Sequence, residues 1–220
     1  MKLLAITTSE KPSLWIFGYG SLVWKPDFKY KRSKVGYIEG YSRRFWHGDN
    51  FHRGDKDVPG RVVTLVEDQD VSGLISKQPT THLQPTFDLI LSTTDKSCTA
   101  CTWGVAYEVT DSQMEESLQY LNVREAVLGG YVTKMVEFTP REKYQGSLLA
   151  LVYIATSDNP IYLGPATPTE IAAQITICRG NTGHNIEYLL RLAEFMRLYC
   201  PEVEDDHLFS IEAAALALVI

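Results

Sequence analysis

Two glycines flank a tyrosine near the start of the chain, in the segment LWIFGYGSLVW from Leu14 to Trp24. The four apolar residues before Gly18 are typical of a strand that is buried on both faces. Because glycine has no Cβ, a ligand can come close to the backbone N–H groups of such a turn. The segment is therefore either a plain structural turn or a backbone cradle, with Tyr19 as an aromatic wall and Ser21 as a second hydroxyl.

The glycines do not form a nucleotide-binding motif. The third glycine of the dinucleotide fingerprint GxGxxG would fall on Val23, and no GK[ST] follows. Both observations exclude the known phosphate-binding loops, and a strand end with outward-facing N–H groups remains.

A second candidate segment, YLNVREAVLGGYVTK, runs from Tyr120 to Lys134. It places Arg124 and Glu125 at the exit of a predicted helix, and a Gly-Gly pair then precedes Tyr131 at the start of a strand. Taken alone, Glu125 is either a group that handles protons or an ordinary surface carboxylate paired with an arginine.

Arginines cluster in the segments Ser42–Gly54 and Pro59–Leu65, at positions Arg43, Arg44, Arg53 and Arg61. The guanidinium fork suits carboxylates, although arginines also form structural ion pairs and cover aromatic surface. A further turn, DNPIYLGPA, carries Tyr162 and leads into a capped helix, so it is equally compatible with a site and with a simple connection.

Composition limits the class of protein. The chain has 220 residues, 45% of them apolar, which suffices for one large domain with its own core. The net charge of −6 argues against nucleic acid as a partner. Residues 25–61 nevertheless hold ten Lys and Arg against five Asp and Glu. This local excess is either solvated surface or a set of arginines that face a small carboxylate-bearing molecule.

Neither metal binding nor membrane insertion is indicated. Cys98 and Cys101 form a lone CxxC without a second ligand pair, and the five histidines show no metal-binding spacing. No stretch approaches the roughly 18 apolar residues of a membrane span, and residues 1–13 lack a signal-peptide core. We therefore expect a cytosolic protein without metal or cofactor.

The hydrophobic pattern predicts mostly strands first and helices later, without regular βα alternation, which indicates an α+β domain. The predicted strands are Leu14–Phe17, Lys34–Ile38, Ser42–Trp46, Arg61–Val66, Thr102–Val109, Tyr131–Phe138 and Ser147–Thr156. Helices are predicted from the capping boxes at Ser112 and Thr167, over Asn185–Leu198, and from about Asp205. We expect one domain over residues 14–220 after an N-terminal extension, with residues 68–97 as a mobile insertion.

The ordered set FGYGSLVW, YSRRFW, HRG, PGRVVTL, WGVAY, YLNVREAVLGGY and YLGPA resembles the ChaC family of glutathione-specific γ-glutamylcyclotransferases. The resemblance covers about Leu14 to Leu208, interrupted by residues 68–97. NVREAVLGGY and the ALALV tail are similar to the vertebrate branch of the family. The long insertion and the short N-terminal extension depart from the family pattern without touching a motif.

The resemblance implies a γ-glutamylcyclotransferase-like mixed barrel or sheet with flanking helices. It also implies cleavage of glutathione to 5-oxoproline and Cys-Gly without metal or cofactor. Glu125 is then the proton acceptor, and the γ-glutamyl cradle consists of Ile16, Phe17, Gly18, Tyr19, Gly20, Ser21 and Leu22. Further candidates for the pocket wall are Tyr131, Tyr162, Arg53 and Arg61.

Two other functions remain open from the sequence. The same scaffold serves cyclotransferases that act on other γ-glutamyl peptides or amines. The resemblance also implies a connection with stress responses, apoptosis and Notch-pathway inhibition, which would involve a protein partner and need not depend on catalysis.

Overall fold

The structure is a computed structural model that describes residues 13–68, 100–127, 130–142 and 144–219, with the backbone only at 111, 112 and 125–127. Its strands are β1 (Ser13–Gly18), β2 (Arg32–Glu39), β3 (Tyr41–Asp49), β4 (Gly60–Glu67), β5 (Cys101–Thr110), β6 (Val132–Pro140), β7 (Leu148–Ile154), β8 (Arg179–Gly180) and β9 (Gly183–His184). Its α-helices are α1 (Asp111–Leu121), α2 (Pro168–Ile177), α3 (Asn185–Tyr199) and α4 (Asp206–Val219). A 3₁₀ turn covers Ser21–Val23, and a π-helix covers Asn122–Val127.

Five of the described strands close into a barrel in the order β1-β5-β2-β6-β7. Strand β1 pairs antiparallel with β5 and parallel with β7, which closes the ring. Both edges of β1 are therefore occupied, and Trp15, Ile16 and Phe17 are all buried. This position explains the unbroken apolar run in the sequence, and the predicted α+β class with a mixed barrel is confirmed.

The hairpin of β3 and β4 lies outside the barrel and carries the helical layer. Asn185, the first residue of α3, is fully buried and pairs with the backbone of Arg61 in β4. Its Oδ1 accepts from the Arg61 N–H at 2.7 Å, and its Nδ2 donates to the Arg61 carbonyl at 2.9 Å. One amide side chain thus fixes α3 against the hairpin.

The capping box predicted at Thr167 is present. The Thr167 N–H donates to Glu170 Oε2 at 2.8 Å, and the Glu170 N–H donates to Thr167 Oγ1 at 3.3 Å. The box predicted at Ser112 is wrong, because α1 begins at Asp111 with Thr110 as the N-cap and without a side-chain cap bond. Helix α1 also continues into the π-helix, which the periodicity did not predict.

The predicted insertion 68–97 lies outside the described residues except for Asp68, and so does the N-terminal extension up to residue 12. Asp68 accepts the N–H of Ala100 on Oδ2 at 2.9 Å, so the described residues on either side of 69–99 are joined by a hydrogen bond. Within the described ranges, no helix combines the length and the apolar character needed to cross a membrane.

Candidate active site

A cavity of about 630 Å³ opens where β1 ends. This volume is in the range of pockets that bind small molecules. Several parts of the fold supply the wall, among them the turn after β1, the end of β3 with its following loop, β4, the end of α1 with the π-helix, β7 and α3. The lining includes Phe17, Tyr19, Gly20, Ser21, Leu22, Trp24, His47, Asp49, Asn50, His52, Arg53, Val63, Glu116, Val123, Arg124, Tyr131, Tyr153 and Tyr188.

Neighbouring protein atoms leave no room for a Cβ at either glycine of the turn. A Cβ on Gly18 would lie 2.5 Å from the Cβ of Leu22, because the chain folds back on itself there. A Cβ on Gly20 would lie 2.5 Å from Tyr188 Oη and 2.9 Å from Val63 Cγ2. The space beside Gly20 is thus occupied by the side chains of α3 and β4 that complete the cavity wall.

The turn presents several backbone donors at the cavity. Its first internal hydrogen bond runs from the Val23 N–H to the Gly20 carbonyl at 3.0 Å. The N–H groups of Gly20, Ser21 and Leu22 precede this bond and have no carbonyl within the turn to donate to. Since Gly20, Ser21 and Leu22 all line the cavity, these donors are placed where an anionic group of a ligand can use them.

Arg124 joins the π-helix to the turn. One guanidinium nitrogen donates to Ser21 Oγ at 2.6 Å, and the other donates to the Lys25 carbonyl at 3.1 Å. The carboxylate of Asp27 lies 4.0 Å from the same guanidinium. The backbone of Glu125, the next residue, is thereby held beside the turn, while its side chain lies outside the described part of the chain.

The loop after β3 brings His52 and Arg53 to the cavity wall. Asp49 Oδ1 accepts the backbone N–H groups of Phe51, His52 and Arg53 at 2.9, 2.6 and 3.3 Å. Arg53 is buried and donates from one nitrogen to Glu187 at 2.8 Å and to the His184 carbonyl at 2.9 Å.

Charged side chains of both signs line the cavity: Lys25, Arg53 and Arg124 are basic, and Asp27, Asp49 and Glu116 are acidic. Burial lowers the pKa of His52 below its ordinary 6.5, and Arg124 and Arg53 lower it further against the opposing effect of Asp49. The histidine is therefore neutral at pH 7.

Aromatic side chains form the remaining wall. Tyr131 meets His47 edge-on with ring centroids 5.0 Å apart. Tyr19 donates from Oη to the Tyr153 carbonyl at 2.7 Å, which fixes its ring in the wall. On α3, Tyr188 Oη accepts the Val63 N–H at 3.3 Å.

Four residues that the sequence assigned to substrate binding do not line this cavity: Ile16, Gly18, Arg61 and Tyr162. Ile16 is fully buried in the barrel. Arg61 donates to Gln174 at 2.7 Å and to the carbonyls of Phe45 and Gly164, both at 3.0 Å. Its guanidinium thus ties the hairpin to the helices, and we assign it a structural role.

Sequence reasoning missed Tyr188 and His52. Tyr188 belongs to the buried, mainly apolar face of α3. Its hydroxyl was the available signal, because a buried tyrosine usually needs a polar partner. His52 stands beside the predicted arginine in HRG, and its burial depends on contacts distant in sequence.

Among the described side chains, none is paired with Ser21 as a general base would be. Ser21 Oγ receives its hydrogen bond from the cationic Arg124, which cannot take a proton from it. In the part of the chain that the structure describes, no three His, Cys, Asp or Glu side chains come together as metal ligands would. The site offers backbone N–H groups, charged side chains of both signs and aromatic walls to a small polar molecule.

Comparison with known families decides the relationship. Residues 14–217 match the family described as ChaC-like protein. The chain belongs to the ChaC family. This match covers all the strands and helices that form the cavity wall, and it confirms the resemblance seen in the motifs.

Individual ChaC relatives are similar over nearly the whole chain. Glutathione-specific gamma-glutamylcyclotransferase 1 from Danio rerio is 66% identical over 95% of this chain and 92% of the relative. The Homo sapiens protein of the same name is 53% identical over 92% of this chain and 78% of the relative. These two relatives confirm the predicted vertebrate branch of the family.

A solved structure shares the fold. The crystal structure of the γ-glutamylcyclotransferase specific to glutathione from yeast has a TM-score of 0.75 and 28% identity. The superposition covers 94% of this chain and 97% of the yeast chain.

Proposed function

We propose that the protein cleaves glutathione into 5-oxoproline and Cys-Gly, without metal or cofactor. The observation that carries the proposal is the junction between the two motifs. The bond of 2.6 Å from Arg124 to Ser21 Oγ holds the Glu125 backbone beside the turn that ends β1. The relatives named glutathione-specific gamma-glutamylcyclotransferase 1 support this choice of substrate.

The charges of the cavity suit glutathione. This tripeptide carries two carboxylates and one ammonium group at pH 7. The backbone of Gly20–Leu22, Arg124 and Arg53 all line the cavity, together with the acidic Asp27, Asp49 and Glu116. We assign the γ-glutamyl carboxylate to the turn and the glycyl carboxylate to the side of Arg53.

The reaction is an intramolecular amide exchange. The α-nitrogen of the γ-glutamyl group attacks its own γ-carbonyl carbon, and a five-membered ring forms through a tetrahedral intermediate. The bond from that carbon to the cysteinyl nitrogen then breaks. The α-nitrogen starts as an ammonium group and loses two protons before it becomes the ring N–H of 5-oxoproline. The cysteinyl nitrogen gains two protons and ends as the ammonium group of Cys-Gly, so the protons balance, no water is consumed and no oxidant or reductant is needed.

Glu125 is the proposed proton carrier. The α-ammonium group is not nucleophilic until a base removes a proton, and a placed general base accelerates such a step by roughly 10²–10⁴. The same carboxyl can then deliver the proton to the departing cysteinyl nitrogen. No other group is needed as a nucleophile, which agrees with the Arg124-bound state of Ser21.

The turn contributes through orientation and electrostatics. Holding two groups of one molecule in a near-attack geometry can lower the barrier by about 7–11 kcal/mol in well-oriented cases. Backbone donors at Gly20–Leu22 also stabilise the oxyanion of the tetrahedral intermediate, and they need no reorganisation to do so. Phe17, Tyr19 and Tyr131 keep the folded γ-glutamyl arm away from water.

A direct assay tests the activity. Purified protein is incubated with glutathione and excess EDTA, and both 5-oxoproline and Cys-Gly are quantified by mass spectrometry. We expect the two products in equal amounts. Failure to form them, or a requirement for added metal, would contradict the proposal.

Glu125→Gln tests the proton carrier. We expect kcat to fall by about 10²-fold or more, because the amide is nearly isosteric but cannot accept the proton. The matched control is Glu115→Gln, an exposed glutamate of α1 that does not line the cavity. A Glu125→Gln protein with wild-type turnover would remove Glu125 from the mechanism.

Selectivity and cellular role stay predictions. Comparing kcat/KM for glutathione and γ-glutamyl-alanine separates a glutathione-specific enzyme from a broader cyclotransferase. If the predicted effects on stress responses, apoptosis or Notch signalling require catalysis, the Glu125→Gln protein will lack them. The cytosolic location is open to direct imaging of the tagged protein.

A further inference from the structure

Arg43 lies behind the catalytic turn, on the side away from the cavity. It is 4% exposed and belongs to β3. One terminal nitrogen donates to the Tyr19 carbonyl at 2.8 Å and to the Trp103 carbonyl at 3.2 Å. Its Nε donates to Asp205 at 3.0 Å. Arg43 does not line the cavity.

The Tyr19 carbonyl belongs to the same peptide unit as the Gly20 N–H. A trans peptide is planar, and its N–H points opposite to its C=O. The Tyr19 carbonyl accepts a hydrogen bond from the buried Arg43 and therefore points away from the cavity. The Gly20 N–H of the same peptide then points toward the cavity that Gly20 lines. Among the described residues, none accepts a hydrogen bond from this N–H.

We propose that Arg43 is a positioning residue for the cyclisation, which holds the Tyr19–Gly20 peptide so that the Gly20 N–H donates to the oxyanion of the tetrahedral intermediate. This inference rests on the proposed function and explains what orients the Gly20 N–H. The bond from a cationic guanidinium to the carbonyl is also stronger than a neutral one, and it polarises the peptide toward a better N–H donor.

Asp205 fixes the guanidinium in this orientation. Its Oδ2 lies 2.9 Å from a terminal nitrogen of Arg43, so the carboxylate holds two nitrogens of the fork. Its Oδ1 accepts the N–H of Leu208 in the first turn of α4 at 3.1 Å. The planar fork therefore serves a carboxylate and a carbonyl at once, which the single ammonium group of lysine cannot do with the same geometry.

The test uses Arg43→Lys and Arg43→Met in the full chain, with glutathione as substrate. Loss of one oxyanion donor costs about 10²–10³ in kcat, and a misdirected donor costs less. We expect kcat to fall about 10- to 100-fold, more for methionine than for lysine, with KM within about twofold. Rates are measured where circular dichroism shows each variant folded.

A second readout is independent of the amount of active protein. The Kd for a phosphinate mimic of the tetrahedral intermediate, measured by calorimetry, should rise by the same factor as kcat falls. Asp205→Asn, which keeps Arg43 but removes its partner, should weaken mimic binding in the same direction. This variant carries the test if the Arg43 variants do not fold.

The matched control is Arg61→Lys. Arg61 is also a buried arginine that donates to two backbone carbonyls, but it does not touch the turn. Its variant should lose stability while kcat and the Kd of the mimic stay within about twofold.

Unchanged mimic binding in folded Arg43→Lys or Asp205→Asn would overturn the inference. If wild-type protein does not cleave glutathione, the proposed function itself fails.

Discussion

At the scale of single residues, Gly20 and Tyr188 share one small space at the cavity wall. The hydroxyl of Tyr188 lies 2.5 Å from the position of a Gly20 Cβ, and Val63 Cγ2 lies 2.9 Å from it. Tyr188 is itself held by the Val63 N–H at 3.3 Å. An added methyl group at Gly20 therefore displaces either the turn or the tyrosine.

We expect Gly20→Ala to lower kcat/KM about tenfold or more and to destabilise the fold by about 1–3 kcal/mol, the usual cost of overpacking. Tyr188→Phe removes the nearest atom, so the double variant Gly20→Ala with Tyr188→Phe should recover part of both losses. Steady-state kinetics and urea unfolding provide the measurements. Gly146→Ala is the control, because a Cβ there meets nothing within 4 Å.

A double variant that is as impaired as Gly20→Ala alone would show that Tyr188 Oη is not the obstacle. A Gly20→Ala variant with wild-type activity and stability would mean that the turn does not require a glycine at this position. Both outcomes are informative, because Gly20 and Tyr188 are far apart in the sequence and meet only in the fold.

The sequence was sufficient to predict the turn as a candidate site, because an apolar strand that ends on Gly-Tyr-Gly is a local pattern. It was not sufficient to explain the glycines. The atoms that exclude a Cβ at Gly20 belong to Tyr188 and Val63, which only the fold brings there. For the same reason, Arg61 and Arg53 were alike in the sequence, although only Arg53 lines the cavity.

At the scale of elements, the side chain of Arg124 joins the π-helix after α1 to the turn after β1. Arg124 bridges Ser21 Oγ at 2.6 Å and the Lys25 carbonyl at 3.1 Å. π-Helical turns are rare and are often found at functional sites. Here the π-helix carries both Arg124 and Glu125, so the bridge fixes the distance between the proposed base and the proposed cradle.

A double-mutant cycle tests this coupling. We expect Ser21→Ala and Arg124→Met each to lower kcat/KM about tenfold, and the double variant to lose little more than either one. This non-additivity corresponds to an interaction of about 1–2 kcal/mol between groups in contact. Losses that simply multiply would mean that Ser21 and Arg124 act on the substrate separately.

The elements themselves differed in how well they could be predicted. Strand β1 and the capping box of α2 rest on neighbouring residues, and both were predicted. The π-helix has no local signal, since the hydrophobic period simply ends near Leu121. Closure of the barrel by the parallel pairing of β1 with β7 joins segments far apart in the chain, which periodicity does not report.

At the scale of the whole molecule, two polar contacts among the described residues tie the start of helix α4 to the hairpin strand β3. One joins Arg43 to Asp205, the residue before α4, at 2.9 Å. The other is the N–H of Phe45, which donates to Nε2 of His207 at 3.0 Å. Both contacts link α4 to the strand whose Arg43 bonds to the turn after β1.

The bond to His207 requires a neutral imidazole, because a protonated ring has no acceptor nitrogen. Burial lowers the pKa of His207 to about 4, with the positive charges of Arg44 and Arg43 adding to the effect and Asp205 opposing it. In the unfolded chain the ordinary value of about 6.5 returns. Between these two values the unfolded state binds more protons than the folded state.

Stability therefore falls as pH is lowered from about 6.5 to about 4, and His207 contributes no slope above 6.5. Over this range, His207 lowers the free energy of unfolding by at most about 3 kcal/mol.

We expect His207→Gln to be less stable than wild type at pH 7.5, and the difference in the free energy of unfolding to shrink toward pH 4.5. Urea unfolding at several pH values measures both, with the exposed His184→Gln as control. A difference that stays constant across this range would mean that His207 is not held neutral by the packing of α4 against β3.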